Sequence, residues 1–270
     1  MNCCNCNRQT VAIWREADYT VYACPACGLM QTAGPAPAGI FDAPYYENNY
    51  LPFRQLNIQH FQQMVEKAQV TLGRPLGAPL LDVGAGVGFF LQSLPPALQQ
   101  TAVAIEPADY ARNLLSQAQV APTVYATIAD LPTDSAPFAT VTLWDVLAHT
   151  PNPAQLLKVL YERMAPDGLL LIKTPHHPRR LFQMARLLGP LHKGRAILHI
   201  PSQRFHFTPQ ALGQLLQDQG FGVERTLWVD EVVAPYTSAL RQGKELVLKA
   251  FLRLSTRHES FLCIARKRAK

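Results

Sequence analysis

Along the chain, the spacing of apolar positions changes twice. From Leu80 onward, short apolar runs alternate with segments in which apolar residues return every three or four positions. The runs predict strands at 79–83, 102–106, 123–127, 139–145, 168–174, 222–229 and 260–266. The periodic segments predict helices, most clearly at 153–164 and 209–219, and a further helical region is expected over 236–254. Seven strands separated by helices predict an α/β fold with a doubly wound, mainly parallel sheet. Before this region, Leu56, Ile58, Phe61, Met64, Val65 and Ala68 mark one face of an amphipathic helix. TAGPAPAGIFDAP, residues 32–44, reads as a linker. At the N-terminus the pattern shortens, and TVAIWREADYTVYAC reads as a hairpin turning at Glu16–Asp18.

That hairpin lies between two pairs of cysteines. Cys3-x2-Cys6, seventeen intervening residues and Cys24-x2-Cys27 match the spacing of a four-thiolate zinc site, because each pair forms a knuckle that aims two sulfurs at one ion. Cys4 is an alternative ligand to Cys3, with poorer spacing to Cys6. Two disulfides are the other use of four cysteines, disfavoured inside a cell. With four protein sulfurs no position stays open for water, so the expected Zn2+ is structural. The organisation predicted is a zinc ribbon at 1–34, a linker and helical extension at 35–75, and the α/β domain at 76–270.

Composition adds less. The 270 residues are 48% hydrophobic and 16% charged, which is ordinary for a globular protein with a sizeable core. No run approaches the roughly 18 apolar residues that span a bilayer, and MNCCNCNRQT lacks the features of a secretory signal. A soluble, cytoplasmic protein is expected. The net charge of +6 is uneven: Gly168–Gln217 holds seven Lys or Arg residues, five of the eight histidines and no acid. Such a stretch is either a solvated basic face or a surface for an anionic acceptor, RNA or lipid headgroups. Segments 179–200 and 240–254 mix Leu, Ile and Phe with Arg and Lys, as peripheral membrane contacts do and as insertions over a pocket also do.

The candidate chemistry begins at LLDVGAGVGFFL, residues 80–91. A dinucleotide fingerprint wants G-x-G-x-x-G after the first strand. Here Gly84, Gly86 and Gly88 follow Asp82, and Phe89 stands at the third fingerprint position. A carboxylate beside the turn suits a cationic amine better than a pyrophosphate. The next strand ends in Glu106, where an acid accepts hydrogen bonds from both hydroxyls of a ribose. IADLP puts Asp130 and Leu131 near the following strand, available to an adenine amino group and ring nitrogen, and PFATVTLWDVLAHTPNP adds Asp145 and His149. Acids thus mark successive strand ends, the place where open α/β sheets bind ligands.

This order of features resembles the class I S-adenosylmethionine-dependent methyltransferases. LLDVGAGVG is similar to their first motif, AIEP to the second, IADLP to the adenine-binding motif, TLWDVLAHTPNP to the fourth and MAPDGLLLIKTP to the late turn and fifth strand. The resemblance implies a Rossmann-like fold and S-adenosyl-L-methionine as cofactor. Asp82, Gly84, Gly86, Gly88, Glu106, Asp130, Leu131 and Asp145 would bind it. The cysteine knuckles with YYENNY resemble zinc-ribbon-bearing methyltransferases, including sugar C-methyltransferases. The fourth motif also resembles ubiquinone-pathway O-methyltransferases, with Ala148 where those carry glutamate.

What is expected, then, is methyl transfer to oxygen or carbon of a small-molecule, saccharide or lipid-linked acceptor. His149 is the first candidate base because imidazole titrates near neutrality, His176 and His177 are further candidates facing the acceptor, and Tyr45, Tyr46 and Tyr50 would close over the cofactor. Two other readings stand beside it: an RNA methyltransferase gripping phosphates with its basic stretch, and a non-catalytic adapter that only binds the cofactor. A nucleophilic cysteine is disfavoured, since Cys263 sits inside an apolar strand and the other five cysteines lie in the ribbon. An N-P-P-Y loop for base amino groups is absent.

Overall fold

Seven strands form the central sheet where the apolar runs predict them. The protein is described here from a computed structural model covering residues 1–36, 39, 41–118, 123–188, 194–229 and 259–268. The parallel strands are β4 (Leu80–Val83), β5 (Ala102–Ile105), β6 (Thr123–Tyr125), β7 (Phe138–Trp144) and β8 (Met164–Pro175). Strands β10 (Phe221–Val229) and β11 (Ser260–Lys267) join antiparallel, giving the order β10-β11-β8-β7-β4-β5-β6. All four residues of β4 are buried, as a central parallel strand covered on both faces requires. The helical region expected at 236–254 lies outside the described residues, as does the basic apolar segment 240–254 and part of 179–200.

Helices cover both faces. On one lie α2 (Arg54–Leu72) and α3 (Phe89–Ser93), whose Met64, Val65, Ala68, Phe90 and Leu91 pack on Leu80, Leu171 and Ile264. On the other lie α6 (Pro153–Arg163) and α9 (Pro209–Asp218), packing Leu157, Leu160, Leu212, Leu215 and Leu216 on Val141, Leu170 and Phe261. Their starts are written in the sequence. Asn152 and Thr208 accept from Gln155 N and Ala211 N, with Pro153 and Pro209 in the first turn. Helix α2 ends where Gly73 adopts φ +64°. The shorter helices are α1 (Ala43–Asn49), α4 (Pro96–Gln99), α5 (Asp109–Ser116), α7 (Arg179–Leu188) and α8 (Gly194–Ile197).

The N-terminal ribbon holds the expected hairpin, β1 (Val11–Glu16) with β2 (Tyr19–Ala23), and two strands that apolar periodicity does not reveal. One is β3 (Met30–Ala33), which takes up Thr32 and Ala33, so the irregular connection starts at Gly34. The other is β9 (Phe205–His206), which arrives from far along the chain to pair with β3. The ribbon is therefore not a separate bead. Trp14, Val21, Ala23 and Met30 share one apolar cluster with Leu181, Phe182, Ala185, Ile197, Leu198 and Ile200 of the segment after β8.

Trp14 is 2% exposed in that cluster. Replacing a buried tryptophan by alanine costs about 3–5 kcal/mol, so Trp14→Ala should lower the urea midpoint by a corresponding amount. A loss below about 1 kcal/mol would mean that ribbon and insertion are not packed together.

Candidate functional site

The sheet's connections part at β4, which leads through β5 and β6 to one side while β7 and β8 lie on the other. A crevice opens at the carboxyl ends of strands where the winding reverses in this way. The turn after β4 is pinned there by Gly84 N and Ala85 N, which donate to Ile105 O at 2.7 and 3.0 Å. Gly86 has φ +54°, and a Cβ on it would meet only Tyr46 Cε1 at 3.8 Å, so this glycine leaves backbone open to the crevice. Gly88 does something different. It begins α3 at φ +80°, and a side chain there would collide with Leu115 of α5.

Two acids stand behind the turn. Glu106 is 4% exposed; its Oε2 accepts from Gly86 N at 2.7 Å and its Oε1 from Ala108 N at 2.8 Å. Burial pushes this carboxyl upward, opposed by those two amides and by Arg112. Asp82 faces Thr142 across the β4–β7 register, and Thr142 Oγ1 donates to its Oδ1 at 2.7 Å. Burial, with Glu106 nearby, pushes Asp82 up to about 7 despite that hydrogen bond. Its Oδ2 has no hydrogen-bond partner among the described residues. Asp145 follows β7 at φ +59°, a conformation that non-glycine residues seldom adopt and that recurs at functional sites. Its N–H donates to Lys173 O at 2.9 Å, and the buried Lys173 Nζ donates to its Oδ2 at 2.6 Å.

The crevice widens into a cavity of about 920 Å³, within the range of roughly 300–1,000 Å³ for small-ligand sites. Asp82, Gly84, Gly86 and Glu106 line one part, and Ala126, Thr127 and Ile128 continue that wall. The lining also carries nine Phe, Tyr and Trp side chains, among them Phe41, Tyr45, Tyr50, Phe53, Phe61 and Trp144. Tyr45 and Tyr46 belong to α1, started by Asp42, whose carboxylate accepts from Tyr45 N at 3.0 Å. Tyr46 stacks on Tyr110 at 6.2 Å, bringing α1 over the glycine turn.

His149 also lines the cavity. Its Nδ1 lies 2.8 Å from Ser202 O. A carbonyl can only accept, so Nδ1 carries the proton and Nε2 keeps the lone pair. Burial holds the imidazole below its usual value of 6.5, against the opposing pull of that carbonyl. His149 is therefore neutral at pH 7, in the tautomer a proton acceptor needs. Trp144 Nε1 and Gln203 Oε1, both on the cavity wall, have no hydrogen-bond partner among the described residues.

The structure thus brings Asp82, Gly84, Gly86, Glu106, Asp145 and His149 to one cavity, and it does not bring Asp130, Leu131 or Gly88 there. Asp130 is occupied locally: its Oδ2 accepts from Thr127 N and Oγ1 at 2.8 and 3.0 Å, closing a capping box, while Leu131 is buried in the core. His177 is buried beside Phe182 and His206, and His176 packs against Trp228 and Phe261, so neither lines the cavity. Sequence reasoning missed Thr127 and Ile128, although the T-x-x-D spacing of a capping box was there to be read. It also missed Lys173, Ser202 and Gln203, for which no local signal exists.

The second centre is the cysteine cluster. The sulfurs of Cys3, Cys6, Cys24 and Cys27 all lie within 4.8 Å of one another, and Cys4 is not among them. Three of the separations are 3.5 Å (Cys3–Cys27), 3.4 Å (Cys6–Cys24) and 3.7 Å (Cys6–Cys27). Ligands about 2.3 Å from a tetrahedral zinc stand about 3.8 Å apart, so the donor set fits that ion. No cysteine is in a disulfide.

A winding-reversal cleft with a glycine turn and a buried acid on the next strand is the arrangement in which open α/β sheets bind nucleotide ligands. The model of the methyltransferase domain family matches residues 56–226. The chain belongs to that family: it is a class I S-adenosylmethionine-dependent methyltransferase with an N-terminal four-cysteine cluster. No curated protein matches it in sequence. Among solved structures it is similar to a chain of the complex between the Haloferax volcanii Trm112 methyltransferase activator and a putative methyltransferase, at 14% identity and TM-score 0.54 over 80% of this chain and 98% of that one. It is also similar to magnesium protoporphyrin IX methyltransferase from Synechocystis PCC 6803, at 18% identity and TM-score 0.51 over 83% and 91%. A Thermotoga maritima methyltransferase, described as a possible histamine N-methyltransferase, aligns at 16% identity and TM-score 0.52 over 83% and 97%. At these identities the likeness is one of fold. No described helix is long and apolar enough to cross a membrane.

Metal analysis should find one zinc per chain, retained in Cys4→Ser and lost in the double substitution of Cys6 and Cys27 by serine. Retention in the double variant would contradict the cluster. For Asp82, a folded-state value raised from 3.8 to about 7 means that the fold favours the protonated acid. Its contribution is fully present below pH 3.8 and is lost as pH rises toward 7. Asp82→Asn should therefore flatten the decline of the urea midpoint between pH 4 and 7. Parallel curves for the two proteins would show Asp82 ionised in the fold.

Proposed function

We propose that the chain transfers a methyl group to an oxygen or carbon of a small acceptor held in the aromatic part of the cavity. The observation that carries this reading is that one cavity joins the Gly84–Gly86 turn and Glu106 to nine Phe, Tyr and Trp side chains and His149. When bound, S-adenosylmethionine supplies a methyl group already activated by its sulfonium. The residues present fit it. Each Glu106 oxygen accepts one amide and has capacity for a ribose hydroxyl. A bound ammonium would stabilise the ionised form of Asp82, whose Oδ2 has no hydrogen-bond partner among the described residues, so this acid fits a cationic amino acid portion. Thr127 and Ile128 offer a wall for adenine.

Methyl transfer asks the protein for alignment and, where the acceptor is a hydroxyl or an acidic carbon, for removal of one proton. His149 Nε2 takes that proton, and its Nδ1–H, fixed on Ser202 O, keeps the ring in register.

The lining also bears on the acceptor's charge. Among the described residues Lys173 is the one Lys or Arg on the cavity wall, and it is paired with Asp145. Arg179, Arg180 and Arg186 are exposed on α7 and do not line it. This favours a neutral acceptor with an aromatic or apolar body over the anionic acceptor or RNA that the basic stretch alone would suggest.

Losing two charge-assisted hydrogen bonds of about 1.5–3 kcal/mol each should weaken S-adenosylhomocysteine binding about 100-fold or more in Glu106→Ala. Calorimetry measures this, and undiminished affinity would contradict the cradle. His149→Gln should keep that affinity while labelled methyl transfer into fractionated cell extract falls about 100-fold or more. Since the His149 pKa is depressed, the wild-type rate should be level across neutral pH and fall on acidification below 6.5. A rate that falls away on the acid side only above pH 7 would assign the proton to another group.

A further inference from the structure

The cysteine cluster is far from the glycine turn in sequence, yet the ribbon is continuous with the wall that holds His149. We propose that the ribbon positions the acceptor half of the active site, fixing residues 199–203 and, through the Ser202 carbonyl, the tautomer of His149. This rests on the reading of His149 and the cavity given above.

The connection can be followed bond by bond. Glu16 at the end of β1 is 7% exposed, and its Oε1 lies 3.3 Å from Arg195 Nε of α8. Gly194 at the start of α8 comes so close that a Cβ would stand 2.5 Å from Glu16 Oε2, 2.7 Å from Ala185 O and 3.1 Å from Trp14 Cζ2. The chain leaves α8 through His199, at φ +54°, and lays His199, Ser202 and Gln203 along the cavity. It is then tied on two sides. Arg204 N and Phe205 N donate to Ala148 O at 2.8 and 3.0 Å, next to His149. In the other direction, Thr32 N of β3 donates to Arg204 O at 2.7 Å, and Thr32 Oγ1 meets the buried His206 Nε2 at 2.7 Å. The β3–β9 pairing of Met30 with His206 and Gln31 with Phe205 completes the bracket.

Residues 199–206 are thus strung between the ribbon and the turn that carries His149. A ribbon of this size has too little core to fold alone, and in such modules metal binding supplies the folding energy. Removing the ion should release the apolar contacts of α7 and α8 and slacken the bracket. The Glu106 cradle has its own supports, the amides of Gly86 and Ala108 and the pinning of Gly84 and Ala85 on Ile105. It should outlast the ribbon's loss.

The test uses the full chain in three forms: zinc-loaded wild type, wild type stripped with a thiol mercurial and chelator, and zinc-loaded Gly194→Ala, which strains the contact without touching a cysteine. Three measurements are made on each: calorimetry with S-adenosylhomocysteine, amide exchange at Arg204 and Phe205, and the ¹⁵N signals of the His149 imidazole. Stripping and Gly194→Ala should both leave the calorimetric affinity unchanged. Both should also speed exchange at the two amides about tenfold or more, a loss of about 1.4 kcal/mol of local protection, and move the His149 nitrogens from a single tautomer toward an average. Unmoved exchange and imidazole signals with the metal gone would overturn the proposal. So would loss of S-adenosylhomocysteine binding on stripping, which would make the ribbon a support of the whole domain. Failure of the zinc-loaded wild type to bind that nucleoside would sink the functional reading itself, an outcome distinct from both.

Discussion

The point on which the architecture depends is the gap beside β4, where the chain's connections part. Helices after β4 and β5 carry the chain one way and the helix after β7 carries it the other, so no crossover covers the carboxyl ends between them. Backbone amides and strand-end carboxylates are left facing a crevice. The turn survives there because β5 lends Ile105 O to two of its amides and Glu106 to a third. A single hydrogen bond, Gly86 N to Glu106 Oε2, makes glycine turn and acid one unit.

On the other side of β4 the same edge is organised by charge. Register sets Trp144 opposite Lys173, and the strained residue after Trp144 is the aspartate that takes the lysine's proton-bearing nitrogen. Placing an ammonium that is 4% exposed beside a carboxylate offsets the desolvation of both. Of the basic stretch, Arg179, Arg180 and Arg186 are exposed on α7, Arg195 pairs with Glu16 of the ribbon, and Lys173 is spent on Asp145. Net charge is therefore a poor guide to the cavity wall, where Lys173 is the one Lys or Arg among the described residues.

Much of this was legible in the chain. Parallel strands buried on both faces read as apolar runs, and Pro with Asn or Thr marks the starts of α6 and α9. The acid at 106 and the glycines before it sit at strand ends because the strands themselves end there. Other features depend on partners that no local pattern names. Strand β9 is two residues long and has no periodicity of its own, existing because β3 offers an edge. Asp130 closes a capping box with Thr127, a partnership that strand-end position alone does not announce. His177 looks like a site histidine, but its backbone N–H is used on Phe207 O and its ring is buried among Phe182 and His206. Ser202 enters through its carbonyl, which every residue possesses, and so leaves no mark in a sequence.

The central claim is that the winding-reversal crevice is a cradle for the sulfur nucleoside, with Glu106 on the ribose and the aromatic cavity beyond it. A crystal structure of the chain grown with S-adenosylhomocysteine tests this most directly. The account predicts both ribose hydroxyls within hydrogen-bonding reach of the Glu106 carboxylate and the sulfur turned toward His149. A nucleoside seated elsewhere, or a crevice that stays empty at saturating ligand, would contradict it.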